Sequence, residues 1–241
     1  MLLKKKIQRM LRLDPPVLNQ FKFDGNKGRA ACVPICLLTL YHIADEIRGH
    51  HNFQCQSILN DTQWSLVMKR GIRLWERWHN GYVQDRAERF PQIEEILGLV
   101  QCQDFYTLFK KEDIDERDRA GLAIPSKYYE NPMGSLYTLC KSMSEKDCDV
   151  YAVIIMPVCA SAVALIYRPS TQRYVLFDPH GAAGSDRVTL LVFREPKDVV
   201  RYLLTRYQVD SIDDCRRSGV EYDEVELCEM YSYTASLFTC K

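Results

Sequence analysis

Apolar and polar positions change texture part-way along the chain. In the first half they recur at helical spacing. From Cys32 the run CVPICLLTLYHIADEIR is apolar nearly all round as far as Ala44, which predicts a buried helix. Pro34 falls in its first turn, where a missing N–H costs nothing. Asp61 offers an N-cap for a second helix over about 62–78, with Trp64, Leu66, Val67, Ile72, Leu74 and Trp75 mostly inward. A third, shorter helix is predicted over 90–99, after Pro91. The dense mixed charge of KKEDIDERDR (110–119) reads as a solvated face or loop.

From Asp149 onward the pattern is different. VYAVIIMPV (150–158), SAVALIYR (161–168) and RYVLFD (173–178) are short runs rich in β-branched and aromatic residues, each bounded by turn-forming residues. They predict adjacent antiparallel strands. RVTLLVF (187–193) predicts a fourth, KDVVRYLLTRYQ (197–208) an amphipathic helix, and VELCEMYSYTASLF (225–238) a final strand. Helices first and strands later make an α+β domain. No linker divides it, so residues 17–241 read as one domain, 46–149 mainly helical and 150–241 mainly sheet, after a basic segment at 1–16. Within that segment, residues 1–13 carry five basic groups and no acid between Leu2, Leu3, Ile7, Met10, Leu11 and Leu13. A peripherally packed helix ending at Pro15-Pro16 is the favoured expectation, a membrane-surface helix the lesser one. Residues 17–23 are strand-like, and GNKGR (25–29) has turn chemistry.

Composition narrows the function classes. With 46% hydrophobic and 27% charged residues the chain can bury a large core. The 32 basic residues balance 32 acidic ones, which argues against a duplex nucleic-acid binder. No run approaches the roughly 20 apolar residues of a membrane span. None of the ten cysteines forms a CxxC pair and the N-terminus lacks a signal-peptide pattern, so the thiols are expected to be reduced in a cytosol-like compartment. The five histidines are scattered. His51 and Cys55 share a helical face without a second ligand pair nearby, so neither a metal nor another cofactor is expected.

The candidate chemistry sits at YVLFDPHG (174–181). Alternation along a strand sends Asp178 and His180 the same way. A carboxylate beside an imidazole fixes its tautomer and stabilises its protonated form. Such a pair needs a nucleophile, and spacing alone does not choose among the hydroxyls and ten thiols. A thiol becomes nucleophilic when its pKa falls, as it does at a helix N-terminus near a histidine. Cys32 follows a glycine-bearing loop and opens the long apolar helix. Cys36 lies one turn further in and is expected inside the helix body.

The pieces NQF (19–21), GRAACV (28–33), SAVALIY (161–167) and YVLFDPHG stand in the order and setting of the herpesvirus tegument deubiquitinases, and the chain resembles their tegument-like relatives outside herpesviruses. The resemblance spans mainly residues 17–45 and 150–195, with Cys36 and the long middle region as departures. It implies a papain-like cysteine protease fold. It further implies Cys32 as nucleophile, His180 as base, Asp178 as its orienting acid and Gln20 as the oxyanion glutamine. Ser161 and Ala162 belong to the matching strand and, with Gly181, are expected to line the path of the substrate tail.

The reaction implied is hydrolysis of the peptide or isopeptide bond after the C-terminal glycine of ubiquitin, through a thioester. The partner would be ubiquitin or polyubiquitin chains, with no nucleic acid and no membrane beyond the weak possibility of residues 1–13. The setting would be the cytoplasm, or a host cytosol into which the protein is delivered. The region Trp75–Trp78 and the acids among Glu112 to Glu116 are candidate ubiquitin contacts, although Trp64, Trp75 and Trp78 read more readily as core. Alternatives are a protease for another ubiquitin-like modifier, a general papain-like acyl transferase, a non-catalytic ubiquitin-binding module with the same fold, and a metal-binding protein using Cys55 or Cys148.

Overall fold

The computed structural model describes residues 10–11, 20, 30–49, 61–82, 91–99, 102–113, 120–122, 135–156, 161–181, 188–207 and 232–241. The expectations for residues 17–23 other than Gln20, for 25–29, for His51 and Cys55, and for 225–231 lie outside them.

In chain order the elements are β1 (Met10–Leu11), α1 (Cys32–Gly49), α2 (Asp61–Tyr82), α3 (Ile93–Leu97), α4 (Gln103–Leu108), β2 (Phe109–Lys111), β3 (Ala120–Leu122), α5 (Ser135–Ser144), β4 (Val150–Met156), β5 (Ser161–Arg168), β6 (Arg173–Asp178), β7 (Thr189–Phe193), α6 (Pro196–Tyr207) and β8 (Ser232–Cys240). The strands form one sheet in the order β1-β7-β6-β5-β4-β8-β2, with β3 also paired to β8. Every pairing is antiparallel.

The central strands read as unbroken apolar runs because both faces of the sheet are covered. In β4, Tyr151, Val153 and Ile155 join the core under α1, α2, α3 and α4. Their neighbours Val150, Ala152, Ile154 and Met156 join a second core under α5 and α6. The same alternation runs along β6: Val175 and Phe177 face the α1–α2 layer, Tyr174 and Leu176 the α5–α6 layer. Trp64 of α2 stacks on Phe177 with ring centroids 4.6 Å apart, so this helix bears on the residue before Asp178.

Helix α1 lies on β5 and against α2. Its close approach to α2 depends on Gly71, where a Cβ would stand 2.5 Å from Ile35 Cγ1. That contact sets the height of α1, and with it the position of Cys32 at the helix start.

Several local expectations are corrected. Met10 and Leu11 are not helical; they pair with Leu191 and Leu190 of β7 and cover what would be a bare sheet edge. Helix α2 begins at Asp61 rather than after it and runs to Tyr82. Leu66 points outward, 55% exposed. Lys110 and Lys111, expected in a solvated loop, form β2 with Phe109 against the far end of β8.

Candidate active site

Strand β6 ends at Asp178, and Pro179 and His180 form a turn. Simple strand alternation therefore does not bring Asp178 and His180 together; the turn does. The Asp178 carboxylate folds over it. Asp178 Oδ1 accepts the His180 backbone N–H at 2.9 Å and lies 3.1 Å from His180 Nδ1. The Gly181 N–H closes the turn on the Asp178 carbonyl at 3.2 Å. This is the turn chemistry for which aspartate is favoured, a side-chain oxygen bonded to the backbone two residues on. Gly181 takes φ 76°, a backbone state that a side chain resists. Asp178 is wholly buried and His180 nearly so.

Cys32 is the first residue of α1 and is fully buried, as is Cys36 one turn on. The start of β5 lies against both. The Cys36 thiol donates to the Ala162 carbonyl at 3.4 Å. Burial pushes the Cys32 thiol up to about 12. Hydrogen bonds from the backbone of Ala162, Val33 and Cys32 itself oppose that rise, and the negative charge of Asp178 adds to it. The expectation of a lowered pKa is thus reversed: with water excluded, desolvation outweighs the helix end and the backbone donors. Burial, and then the charges of Cys32 and Asp178, also raise Cys36.

Gln20 is buried, and its backbone N–H donates to the Pro179 carbonyl at 3.0 Å. The proline between acid and base is therefore more than a spacer, since its carbonyl ties the turn to the segment bearing Gln20. Ser161 and Ala162 pair with Met156 and Ile155 of β4 and are themselves buried. Ala162 bears on the two thiols, while Gly181 extends the turn.

The contacts of three α6 residues were not anticipated from sequence. The Tyr202 hydroxyl donates to Asp178 Oδ2 at 3.1 Å, and Arg206 Nε stands 3.7 Å from the same oxygen. Two guanidinium nitrogens of Arg206 donate to the Gly181 carbonyl at 3.2 and 3.0 Å. The Tyr207 hydroxyl lies 3.2 Å from His180 Nδ1. The available signal was a helix with tyrosines and an arginine bordering its apolar face, soon after the D-P-H turn.

Of the suggested partner-binding residues, 114–116 lie outside the described residues, and several of the rest have partners within the chain. Trp64 and Trp78 are core, and Trp75 stacks on His79 at 4.9 Å. Glu112 accepts from the Thr239 hydroxyl at 2.8 Å and from Lys146 at 3.3 Å. Among the described residues no group of three or more His, Cys, Asp or Glu side chains is arranged to hold a metal, and Cys148 is an exposed free thiol. None of the described helices is long and apolar enough to cross a membrane.

The chain matches no protein-family model, and no curated protein matches it in sequence. Its shape does have a counterpart. The ubiquitin-specific protease encoded by a murine cytomegalovirus tegument protein, solved with a ubiquitin-based suicide substrate, superposes with a TM-score of 0.59 at 14% identity. The match covers 97% of this chain and 88% of that one. The two share a fold, the α+β fold of the papain-like cysteine proteases. The Pseudomonas avirulence protein AvrPphB is similar at a TM-score of 0.45 and 8% identity, over 87% of this chain and 91% of that one. Within this papain-like fold, Cys32 opens the helix that lies on the sheet, and the Asp178–His180 turn ends a central strand.

Proposed function

We propose that this protein is a thiol protease that hydrolyses the peptide or isopeptide bond after the C-terminal glycine of ubiquitin. The observation that carries the reading is the buried Asp178–His180 pair, bonded at 3.1 Å, in a chain whose first long helix lies on the sheet and begins with the buried Cys32. The choice of ubiquitin is supported by the shared fold with a ubiquitin-specific protease and by the order of the NQF, GRAACV, SAVALIY and YVLFDPHG pieces.

Cys32 enters the reaction as a neutral thiol. A substrate tail brings its carbonyl to the sulfur, and His180 takes the thiol proton as the S–C bond forms. Asp178 orients the imidazole and balances the imidazolium. The Gln20 side chain and the Cys32 backbone N–H donate to the oxyanion. The C–N bond then breaks, the leaving amine takes the proton from His180, and an acyl thioester remains on Cys32. Water attacks the thioester with His180 as base, giving the free carboxylate and regenerating the thiol.

The test is labelling with ubiquitin bearing a C-terminal electrophile. The adduct is expected on Cys32 and should vanish in Cys32→Ala. Adduct that survives Cys32→Ala but is lost in Cys36→Ala would displace the nucleophile. Labelling only by probes built on another ubiquitin-like modifier would move the substrate, and ubiquitin binding without labelling or turnover would make the chain a binding module.

A further inference from the structure

We propose that Tyr202, Arg206 and Tyr207 of α6 are positioning residues for His180, holding the acid before it and the carbonyl after it so that the imidazole keeps one orientation and one tautomer. The inference rests on the reading of Asp178 and His180 as the acid and base of a thiol protease, and its experiment separates the two.

His180 lies beyond the end of β6, in a turn of its own making. Nothing in the strand ladder fixes its ring. The backbone from Asp178 to Gly181 and the groups that meet Nδ1 bear on its orientation. Helix α6 supplies partners on both sides. Asp178 Oδ1 meets His180 twice, through the backbone N–H and Nδ1. The second oxygen, Oδ2, faces the Tyr202 hydroxyl at 3.1 Å and Arg206 Nε at 3.7 Å. Rotation of the carboxylate would break both sets of contacts at once, so the two oxygens keep separate duties.

On the other side of the histidine, Gly181 holds φ 76° and its carbonyl receives the Arg206 fork at 3.2 and 3.0 Å. A planar guanidinium donating twice to one oxygen fixes direction as well as distance. That guanidinium also lies 5.2 Å above the Tyr207 ring. Tyr207 in turn meets the imidazole edge-on, with centroids 5.9 Å apart and planes at 77°, and brings its hydroxyl to 3.2 Å from Nδ1. The ring is therefore enclosed on the Asp178 side by one carboxylate and one phenol.

The spacing suits one helix. Tyr202 and Arg206, four residues apart, leave one row of it, while Tyr207 continues the buried row of Val199 and Leu203 beside them. Val199, Val200 and Leu203 bury the neighbouring face in the core beneath β6 and β7. The platform is thus anchored by packing, independently of the polar contacts. Burial, then the charge of Asp178, raises both tyrosine hydroxyls above their ordinary range, which keeps them protonated and able to donate to the Asp178 carboxylate. A carboxylate only accepts, so the ring proton belongs on Nδ1 and leaves Nε2 for the thiol.

The experiment uses the full chain and the variants Tyr202→Phe, Arg206→Met and Tyr207→Phe, with His180→Gln to assign the signals. Two readouts are taken: steady-state hydrolysis of a fluorogenic ubiquitin substrate and the ¹⁵N signals of the His180 ring. The wild type is expected to show a single tautomer protonated at Nδ1. Arg206→Met and Tyr207→Phe are expected to shift those signals towards a two-tautomer average. Their kcat should fall about 10–100-fold at little change in KM, as displacement of a catalytic group does. Unchanged ring signals in all three variants would overturn the proposal, whether or not kcat or melting temperature moves, because a purely structural role predicts that result. A wild-type chain that cleaves no ubiquitin substrate would defeat the functional reading, while the ring signals would still decide the role of α6.

Discussion

The backbone N–H of Gln20 reaches the carbonyl of Pro179 at 3.0 Å, joining an early segment of the chain to the turn that carries His180. A main-chain bond survives any side-chain substitution at Gln20 except proline, so the tether and the side-chain chemistry can be separated. Gln20→Ala is expected to keep the fold and to lower kcat on a ubiquitin substrate by about 10²–10³, the usual cost of one lost oxyanion donor. Steady-state kinetics and circular dichroism on the same sample check this. Activity within threefold of wild type would remove Gln20 from the oxyanion role.

Two glycines of α2 should respond in opposite ways. Glycine inside a helix ordinarily costs about 1 kcal/mol relative to alanine. At Gly81 nothing lies within 4 Å of an added Cβ, so Gly81→Ala should stabilise by up to about that amount. At Gly71 the same methyl would meet Ile35 Cγ1 at 2.5 Å and the Ile35 backbone at 3.1 and 3.2 Å. Gly71→Ala should therefore destabilise, by about 1–3 kcal/mol as overpacking does. Because Ile35 sits in the first turn of α1, it should also slow labelling of Cys32. Urea titration of the pair decides the sign, and a stabilised Gly71→Ala would show that α1 and α2 are looser than the contact implies.

The same contrast explains what the sequence disclosed. Strands β5 and β6 begin and end where expected because SAVALIYR and RYVLFD are apolar runs bounded by turn residues, a local signal. The start of α1 at Cys32 was likewise legible. The extension of α2 past Trp78 was not, since the helix continues through Asn80 and Gly81, both poor helix formers, to Tyr82. Strand β2 was missed since three residues with two lysines acquire strand form only by pairing with β8, well over a hundred residues away. The Asp178–His180 pair was found for a reason that was partly mistaken, because the turn brings them together where alternation was invoked. The α6 contacts depend on the helix docking beneath β6, which no local pattern announces. The state of the Cys32 thiol depends on burial, and one-dimensional spacing cannot report burial.

The buried thiols should make the protein sensitive to alkali. Burial pushes Cys32 and Cys140 up from 9.0 to about 12. Below pH 9 both are protonated in folded and unfolded chains alike, so their contribution to stability is fully present. Between pH 9 and about 12 the unfolded chain releases these protons while the folded chain holds them, so stability falls as pH rises. Each such thiol contributes a slope of about 1.4 kcal/mol per pH unit within that window. Melting temperatures at pH 7, 9 and 10.5 should be level across the first step and drop across the second. Cys140→Ala, outside the candidate site, should flatten the drop. An equal drop in that variant would remove Cys140 from the account.

Asp178→Asn is the sharpest test of the acid. The substitution preserves shape but replaces an acceptor-only group with an amide that also donates. If the amide oxygen takes the Oδ1 position, the His180 N–H keeps its partner while the new NH₂ faces the Tyr202 hydroxyl and Arg206 Nε, both donors. If the amide is reversed, the NH₂ faces the His180 backbone N–H, and Nδ1 is driven to act as acceptor, which moves the ring proton to Nε2. Either way a buried donor loses its acceptor, at a cost of about 1–3 kcal/mol. In the second arrangement the base also presents the wrong nitrogen to the thiol. Loss of the correct tautomer in a related acid–base arrangement lowers kcat by about 10⁴, and a fall of that order is expected here. Asp178→Ala should lose comparable activity but leave Arg206 and Tyr202 without their shared oxygen, so its melting temperature should fall further than that of the asparagine variant. Should Asp178→Asn retain more than a tenth of wild-type kcat, the carboxylate is structural and His180 is oriented by α6 alone.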